Sequence, residues 1–380
     1  MSVQDFLQKL SQAHGVSGYE HAIRDLVIEE FRPLVDELSV DPLGNVIAIK
    51  RGTRNANNAK TPVRKVLIEG HMDEIGFLVT DIDHGFIRFT QVGGFDVRVL
   101  PSQQVIVHGK KQLPGIIGSR PPHVLSADER DSVMPMSDLF VDVGMPEDKV
   151  NELVQIGDMI TIARDVIELK NNLIAGKAFD DRAAVAVVAE ALHQLQSLKH
   201  SFDVYAIANV QEEVGLRGAM TSAFAVNPDV AIAIDVGHAD QPNVPDANRV
   251  PLNDGMGIAM GPNIHPVVHS KLTKIADSYE IPYKVTAYAG ATGTNAWAIQ
   301  VVREGIPTGL IDIPLRYMHT SVETLSVSDL ERIGRLMALF CASLDEHFIG
   351  ELCGETEEPV KAKTAKRTSS RRKTKDGRRK

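Results

Sequence analysis

Two neighbouring segments decide the fold: KAFDDRAAVAVVAEALHQL at 177–195 and, after a short link, DVYAIANVQEEVGLRGA at 203–219. The first enters an apolar helix through two consecutive aspartates, and the second reads as a buried strand that ends on two consecutive glutamates. A helix followed by a strand is the unit of an α/β layer. Working outward, the layer continues through the strand candidates DVAIAID (229–235), which should end at Asp235, and TGLIDIP (308–314). On the N-terminal side Lys65 to Gly70 carries Val66, Leu67 and Ile68 as one continuous apolar run, typical of a strand covered on both faces. PYKVTAYA (282–289) reads as a strand, Lys271 to Ser278 as a helix, and GATGTNAWAIQVV (290–302) as a loop entering a helix. Ser17 with Glu20 and Ser326 with Asp329 have the spacing of capping boxes, each before an amphipathic helix.

Between about Gly76 and Arg164 the texture changes. FLVTDID, FIRFTQV, QVIVHG, GIIGS, LFVDVG and MITIAR are short β-branched runs separated by glycine and proline, and six such strands suggest a small barrel or sandwich. The polar segment Ser119 to Met136 is longer than ordinary connections and reads either as a contact between subunits or as a flexible loop. The expected fold is therefore a mixed-sheet α/β domain (residues 1–72 and 166–354) interrupted by an all-β insertion (76–164), with a disordered basic tail (355–380).

Composition bounds the function. Length suggests two folded units, and 43% hydrophobic with 24% charged residues is ordinary for a globular chain. The longest apolar run, Ala183 to Ala189, is far too short to span a membrane, and MSVQDFLQKL lacks the pattern of an export signal. Cys341 and Cys353 are the only cysteines, so a disulfide framework is not expected and a cytoplasmic location is. Of the 41 Lys and Arg, 11 lie in residues 361–380 against the single acid Asp376, so the preceding 360 residues carry 30 basic and 49 acidic side chains. The tail reads either as a solubilising extension or as an electrostatic contact for nucleic acid or an acidic partner.

The candidate chemistry lies where the strands end. His71 and Asp73 follow VLI, Glu212 and Glu213 follow YAIANV, Asp235 follows AIAI, and His319 lies in the loop after GLIDI; ligands in open α/β sheets bind at that edge. Asp180 and Asp181 precede a helix, where capping is the simple role. Taken together, two histidines and at least four acids make a donor set for zinc, cobalt or manganese. Two metals need a shared carboxylate, and adjacent Glu212 and Glu213 divide naturally into a ligand and a general base. Gly255, Gly257 and Gly261 lack the spacing of a dinucleotide loop and read as a turn.

EGHMDEIGF, GKAFDDR, QEEVGLRGA, AIDVGHA, TGTNA and RYMHTSVE, in this order over about residues 1–350, resemble the tetrahedral (TET) metallo-aminopeptidases, the glutamyl aminopeptidase family, number forty-two among metallopeptidase families and often also labelled cellulase or endoglucanase. The resemblance implies two divalent ions, Zn2+ or Co2+, with His71 and Asp235 completing one site, Glu213 and His319 the other, and Asp180 bridging. It implies Glu212 as general base, Asp73 as the carboxylate orienting His71, and no ligand role for Asp181, whose simpler parts are helix cap or partner of Arg182. The implied reaction removes the N-terminal residue of short peptides through a metal-bridging hydroxide, in a homo-oligomer whose β insertion mediates dimerisation and whose dimers assemble to a dodecamer. Asn295 stands where the family commonly has Asp, which puts the carried-over specificity in question. The rival readings are a deacylase or carboxypeptidase, which would need a basic clamp for a substrate carboxylate, a glycosidase, in which the histidines have no part, and a binding protein acting through the tail.

Overall fold

The computed structural model describes residues 1–53, 63–244 and 249–354. The basic tail expected at 355–380 and its partners lie outside the described residues. Strands β1 (Glu37–Val40), β2 (Val46–Lys50) and β3 (Lys65–His71) open a large sheet, and the chain then leaves it for the insertion. There β4 (Gly76–Asp83), β5 (Phe86–Val92), β6 (Gln104–His108), β7 (Gln112–Gly118), β8 (Phe140–Asp142) and β9 (Met159–Ile162) close into a barrel. Its alternating inward residues Phe77, Val79, Ile87, Phe89, Val105 and Val107 form a separate core. The six β-branched runs, which suggest a barrel or a sandwich, are therefore present strand for strand, and they form the barrel. The segment 119–136 carries short helical turns, including α1 (Ala127–Arg130) with a reciprocal Ser126–Glu129 capping box.

After β10 (Ile167–Glu168) and β11 (Leu173–Gly176) the chain returns to the large sheet through β12 (Asp203–Asn209), β13 (Val230–His238), β14 (Met256–Met260), β15 (Tyr283–Ala287) and β16 (Thr308–Leu315); β17 (Glu323–Ser326) pairs with β11 instead. The large sheet is mixed, in the order β1-β2-β12-β3-β13-β16-β14-β15. Its centre, β12-β3-β13-β16, is parallel, so the carboxyl ends of four strands share one edge.

Alternation along β3 shows how the layers are built. Val66 and Ile68 join the core made with α2 (Phe179–Leu195), whereas Leu67 packs on the opposite face with Ile207, Ala219, Ala223 and Ile299. A strand buried on both sides must be apolar at every position, which is why it reads as a continuous run. Gly70 lets the helix come close: a Cβ there would stand 2.4 Å from that of Ala184. That approach sets the first turn of α2 against the end of β3.

Three local expectations are corrected. Ser17 and Glu20 form no capping box: Ser17 Oγ donates to Asp73 instead, and Glu20 accepts from the backbone N–H groups of Gly18 and Gln211. The glycine-rich stretch read as a turn contains strand β14, and of Gly255, Gly257 and Gly261 only Gly255 lies in the left-handed region, at φ +96°. Strand β13 does not stop at Asp235 but continues to His238.

Candidate metal centre

Four strand ends and one helix start converge. His71 is the last residue of β3 and is in register with Asn209, the last of β12, so the chain that turns off β12 brings Glu212 and Glu213 over it. Asp235 lies on β13 opposite Asp312 of β16, and His319 on the loop between β16 and β17. Asp180 and Asp181 have non-helical backbone angles at the head of α2 and are joined by a cis peptide bond.

The carboxylate of Asp180 faces both imidazoles, with Oδ1 3.2 Å from His71 Nε2 and Oδ2 3.1 Å from His319 Nε2. His319 Nε2 is 3.4 Å from Glu213 Oε1, an oxygen that accepts no directed hydrogen bond although it is buried. Glu212 Oε2 lies 3.7 Å from His71 Nε2. Donor atoms of His71, Asp180 and Glu213 fall within 4.8 Å of one another, and so do those of His71, Asp181 and Asp235. The five expected ligands are thus brought to one place.

Asp181 belongs to this cluster as well, although the sequence reading set it aside. Its Oδ1 accepts from Ala184 N–H, the expected cap, and its Oδ2 from His71 N–H. It does not pair with Arg182, whose guanidinium is 3.0 Å from Glu74.

Around these sits a hydrogen-bonded frame. Asp73 Oδ1 is 3.3 Å from His71 Nδ1 and accepts from Glu212 N–H at 3.0 Å, while its Oδ2 accepts from Glu213 N–H at 3.2 Å and Ser17 Oγ at 2.6 Å. Glu323 Oε2 accepts from Phe179 and Asp180 N–H, and its Oε1 from His319 N–H. Ser17 was read only as a helix cap and Glu323 was assigned no role from the sequence; RYMHTSVE contains Glu323, but only the fold shows that it ties the His319 loop to the head of α2. Asn295 is buried and donates to Glu69 Oε2 at 2.8 Å, so it braces β3 just before His71.

Electrostatics explain what the cluster demands. Burial pushes Glu212 up to about 8, with Glu213 and Asp180 adding to the effect against the opposing pull of His71. Asp235 is also raised, by burial and then by Glu212. Asp180 and Glu213 raise His319 to about 11, and His71 is raised despite its burial because Glu212, Asp180 and Asp73 surround it. In the chain alone these carboxylates are balanced by protons on histidine and glutamate. Divalent cations would replace those protons, and imidazole nitrogens with carboxylate oxygens are the donors that zinc and cobalt accept. The residues present fit such ions.

A sequence profile of the M42 glutamyl aminopeptidase family matches residues 44–336. The chain belongs to this family. The lysyl aminopeptidase of Pyrococcus furiosus is 36% identical over 343 residues, covering 87% of this chain and 94% of that one. The TET aminopeptidase of Thaumarchaeota archaeon SCGC AB-539-E09 superposes with a TM-score of 0.86 at 33% identity, covering 92% of this chain and 98% of the other. The TET1 peptidase of Pyrococcus horikoshii, which can assemble into a tetrahedron or a large octahedral shell, gives 0.78 at 32% identity, covering 90% and 100%. This M42 chain is accordingly a metallo-aminopeptidase, a peptide hydrolase. No helix among its described residues is long and apolar enough to cross a membrane.

Proposed function

We propose that this M42 peptidase removes the N-terminal residue from short peptides with two divalent ions, zinc or cobalt, held by His71 and Asp235 on one side and by Glu213 and His319 on the other, with Asp180 between them. The observation that carries the reading is Asp180, whose two oxygens each face a different imidazole at 3.1–3.2 Å. A bound metal pair would supply a water acidic enough to ionise near neutral pH and an electrophile for the peptide carbonyl. Glu212 would accept the proton of the attacking water and return it to the departing amine. In the metal-free chain burial raises its carboxyl to about 8, and the charge of bound cations would favour its ionised form. Asp73 fixes the ring of His71 and, through two backbone N–H groups, the turn that carries Glu212 and Glu213.

A substrate amine suits an acidic pocket, whereas a deacylase or carboxypeptidase would need a free cation for the substrate carboxylate. Lys177 and Arg182, beside the cluster, are both engaged by Glu74. Aminoacyl chromogenic amides, assayed beside their N-acetylated forms before chelation, after it and after adding back Zn2+ or Co2+, test the reading. Metal-dependent cleavage confined to free amines supports it. Silence across the panel with two metals bound shifts the assignment to another dinuclear hydrolase.

The same reading makes the chain a homo-oligomer, with dimerisation through the barrel and dimers assembled to a dodecamer; a monomer mass in light scattering at micromolar concentration would rule that out. Both cysteines are free, which suits the cytoplasm. Deleting residues 361–380 should leave hydrolysis unchanged, and loss of nucleic-acid retention at low salt in that variant would assign the tail its partner.

A further inference from the structure

We propose that the inserted barrel completes the metal centre: its Gly93-Gly94-Phe95 turn is the backstop that positions His319 and Glu213, so that seating of the barrel and loading of that one metal site are a single event. The inference rests on the reading of His319 and Glu213 as ligands.

The two halves of the centre are built differently. His71 is 1% exposed, lies at the end of a central strand and has Asp73 against its second nitrogen. His319 is 36% exposed in its side chain and sits on a loop in which both it and Tyr317 have positive φ, +60° and +59°. One backbone bond, from its N–H to Glu323, tethers it. Imidazoles that bind metal ordinarily have their other ring nitrogen anchored by a hydrogen-bond partner. Among the described residues Nδ1 of His319 has none; the turn after β5 lies against it instead. A Cβ placed on Gly94 would stand 3.4 Å from Nδ1 and 3.7 Å from Cε1 of that ring.

The residue before it performs the same service for the second ligand. A Cβ on Gly93 would be 3.3 Å from Glu213 Oε2 and 2.5 Å from Ile75 Cγ2, and Gly93 has φ +75°, which favours glycine. Phe95, the next residue, is stacked on Phe77 of the barrel core with ring centroids 4.5 Å apart. It also lines a small cavity together with Asp180, Glu213 and Glu323. Three consecutive residues thus connect the barrel core to the Glu213–His319 side. Glycines at 93 and 94 leave no side chain between this turn and the two ligands.

Because contact and metal stabilise the same arrangement, each must favour the other by an equal free energy. The test uses the full chain stripped by chelator, titrated with Zn2+ and followed by calorimetry and metal analysis, beside Gly94→Ala and Gly94→Val. Gly94 is exposed and its φ lies outside the left-handed region, so both variants probe the contact rather than the backbone. The unsubstituted chain should take two ions. Gly94→Val should keep one at unchanged affinity and bind the other about 10–100-fold more weakly, the loss typical of disturbing an oriented ligand, with Gly94→Ala near the unsubstituted chain because its Cβ makes only ordinary contact with the ring. In the unsubstituted chain, hydrogen exchange of residues 92–97 should slow when zinc is added, a readout that stands even where Gly94→Val does not fold. Two ions bound equally well by wild type and both variants, with exchange at 92–97 indifferent to zinc, overturns the inference and leaves the metal centre intact. Failure of the unsubstituted chain to bind zinc overturns the ligand reading, and the inference with it.

Discussion

Asp73 is a single carboxylate whose two oxygens meet His71 Nδ1, the N–H groups of Glu212 and Glu213, and the hydroxyl of Ser17. Asp73→Asn keeps the volume but turns one acceptor into an NH2 group facing donors, so metal affinity should fall about 10–100-fold, read by zinc competition with a chromophoric chelator. Glu212→Gln is a different kind of change: the proton acceptor is lost while the neighbouring donor set remains. It should bind two metals and lose about 10²–10⁴-fold in kcat; near-normal turnover in a metal-loaded sample would remove Glu212 from its role. At this scale His71, Glu213, Asp235 and His319 were legible in the sequence because each follows an apolar run, whereas Asp180, ahead of a helix, read as a cap and gained its bridging role only from the family resemblance. The supporters of these ligands were not legible. Ser17 lies 56 residues from Asp73 in the chain, and its spacing from Glu20 pointed to a local cap that the fold replaces with this distant partner. Asp181 was read as a cap, which it is, but nothing local shows that the same carboxylate meets the backbone of His71.

Helix α2 turns that chemistry into architecture. Its first turn holds Arg182, 0% exposed, which donates to the carbonyls of Leu10, Ala13 and Met72 and to Glu74, itself bonded to Lys177 at 2.7 Å. One guanidinium thereby joins the C-terminal end of the N-terminal helix, Val3–Gln12, the segment after β3 and the head of α2, the three pieces that place His71 and Asp180. Arg182→Ala leaves those carbonyls short of a donor and Glu74 with one cation fewer, so unfolding free energy should drop by about 3–5 kcal/mol, seen as a lower urea midpoint. A change below 1 kcal/mol would show that water replaces the guanidinium. Strands were legible where apolar runs are unbroken, as in β3 and β12. They were missed where glycine interrupts the run: in β14 a Cβ on Gly257 would lie 2.7 Å from Asp312 Oδ2, so packing against a buried acid demands the residue that reads as a turn.

Across the whole molecule, the seam between barrel and α/β domain is where a change of pH should be felt first. His14, which follows the N-terminal helix, lies against His108 of β6 with ring centroids 4.3 Å apart and the rings tilted by 35°, and His108 Nε2 meets Thr161 Oγ1 at 2.9 Å. Glu74, Lys177 and Arg182 are the charged groups felt by this pair. Burial, and then the neighbouring His14, press His108 down to about 4, and burial lowers His14 as well. His108 is therefore neutral in the folded chain, and His14 is harder to protonate than a free imidazole, at pH values where the unfolded chain, with histidine near 6.5, already takes up protons. The unfolded state binds more protons through this window, so stability must fall as pH falls from about 6.5 towards 4. Carboxylates contribute to acid unfolding too, and the diagnostic quantity is the difference made by His108→Gln, whose amide can still meet Thr161. The decline of the urea midpoint between pH 6.5 and 4.5 should be shallower in the variant than in the unsubstituted chain, while the two converge in slope above pH 7. Parallel curves over the whole range would mean that the histidine pair does not couple the barrel's seating to pH.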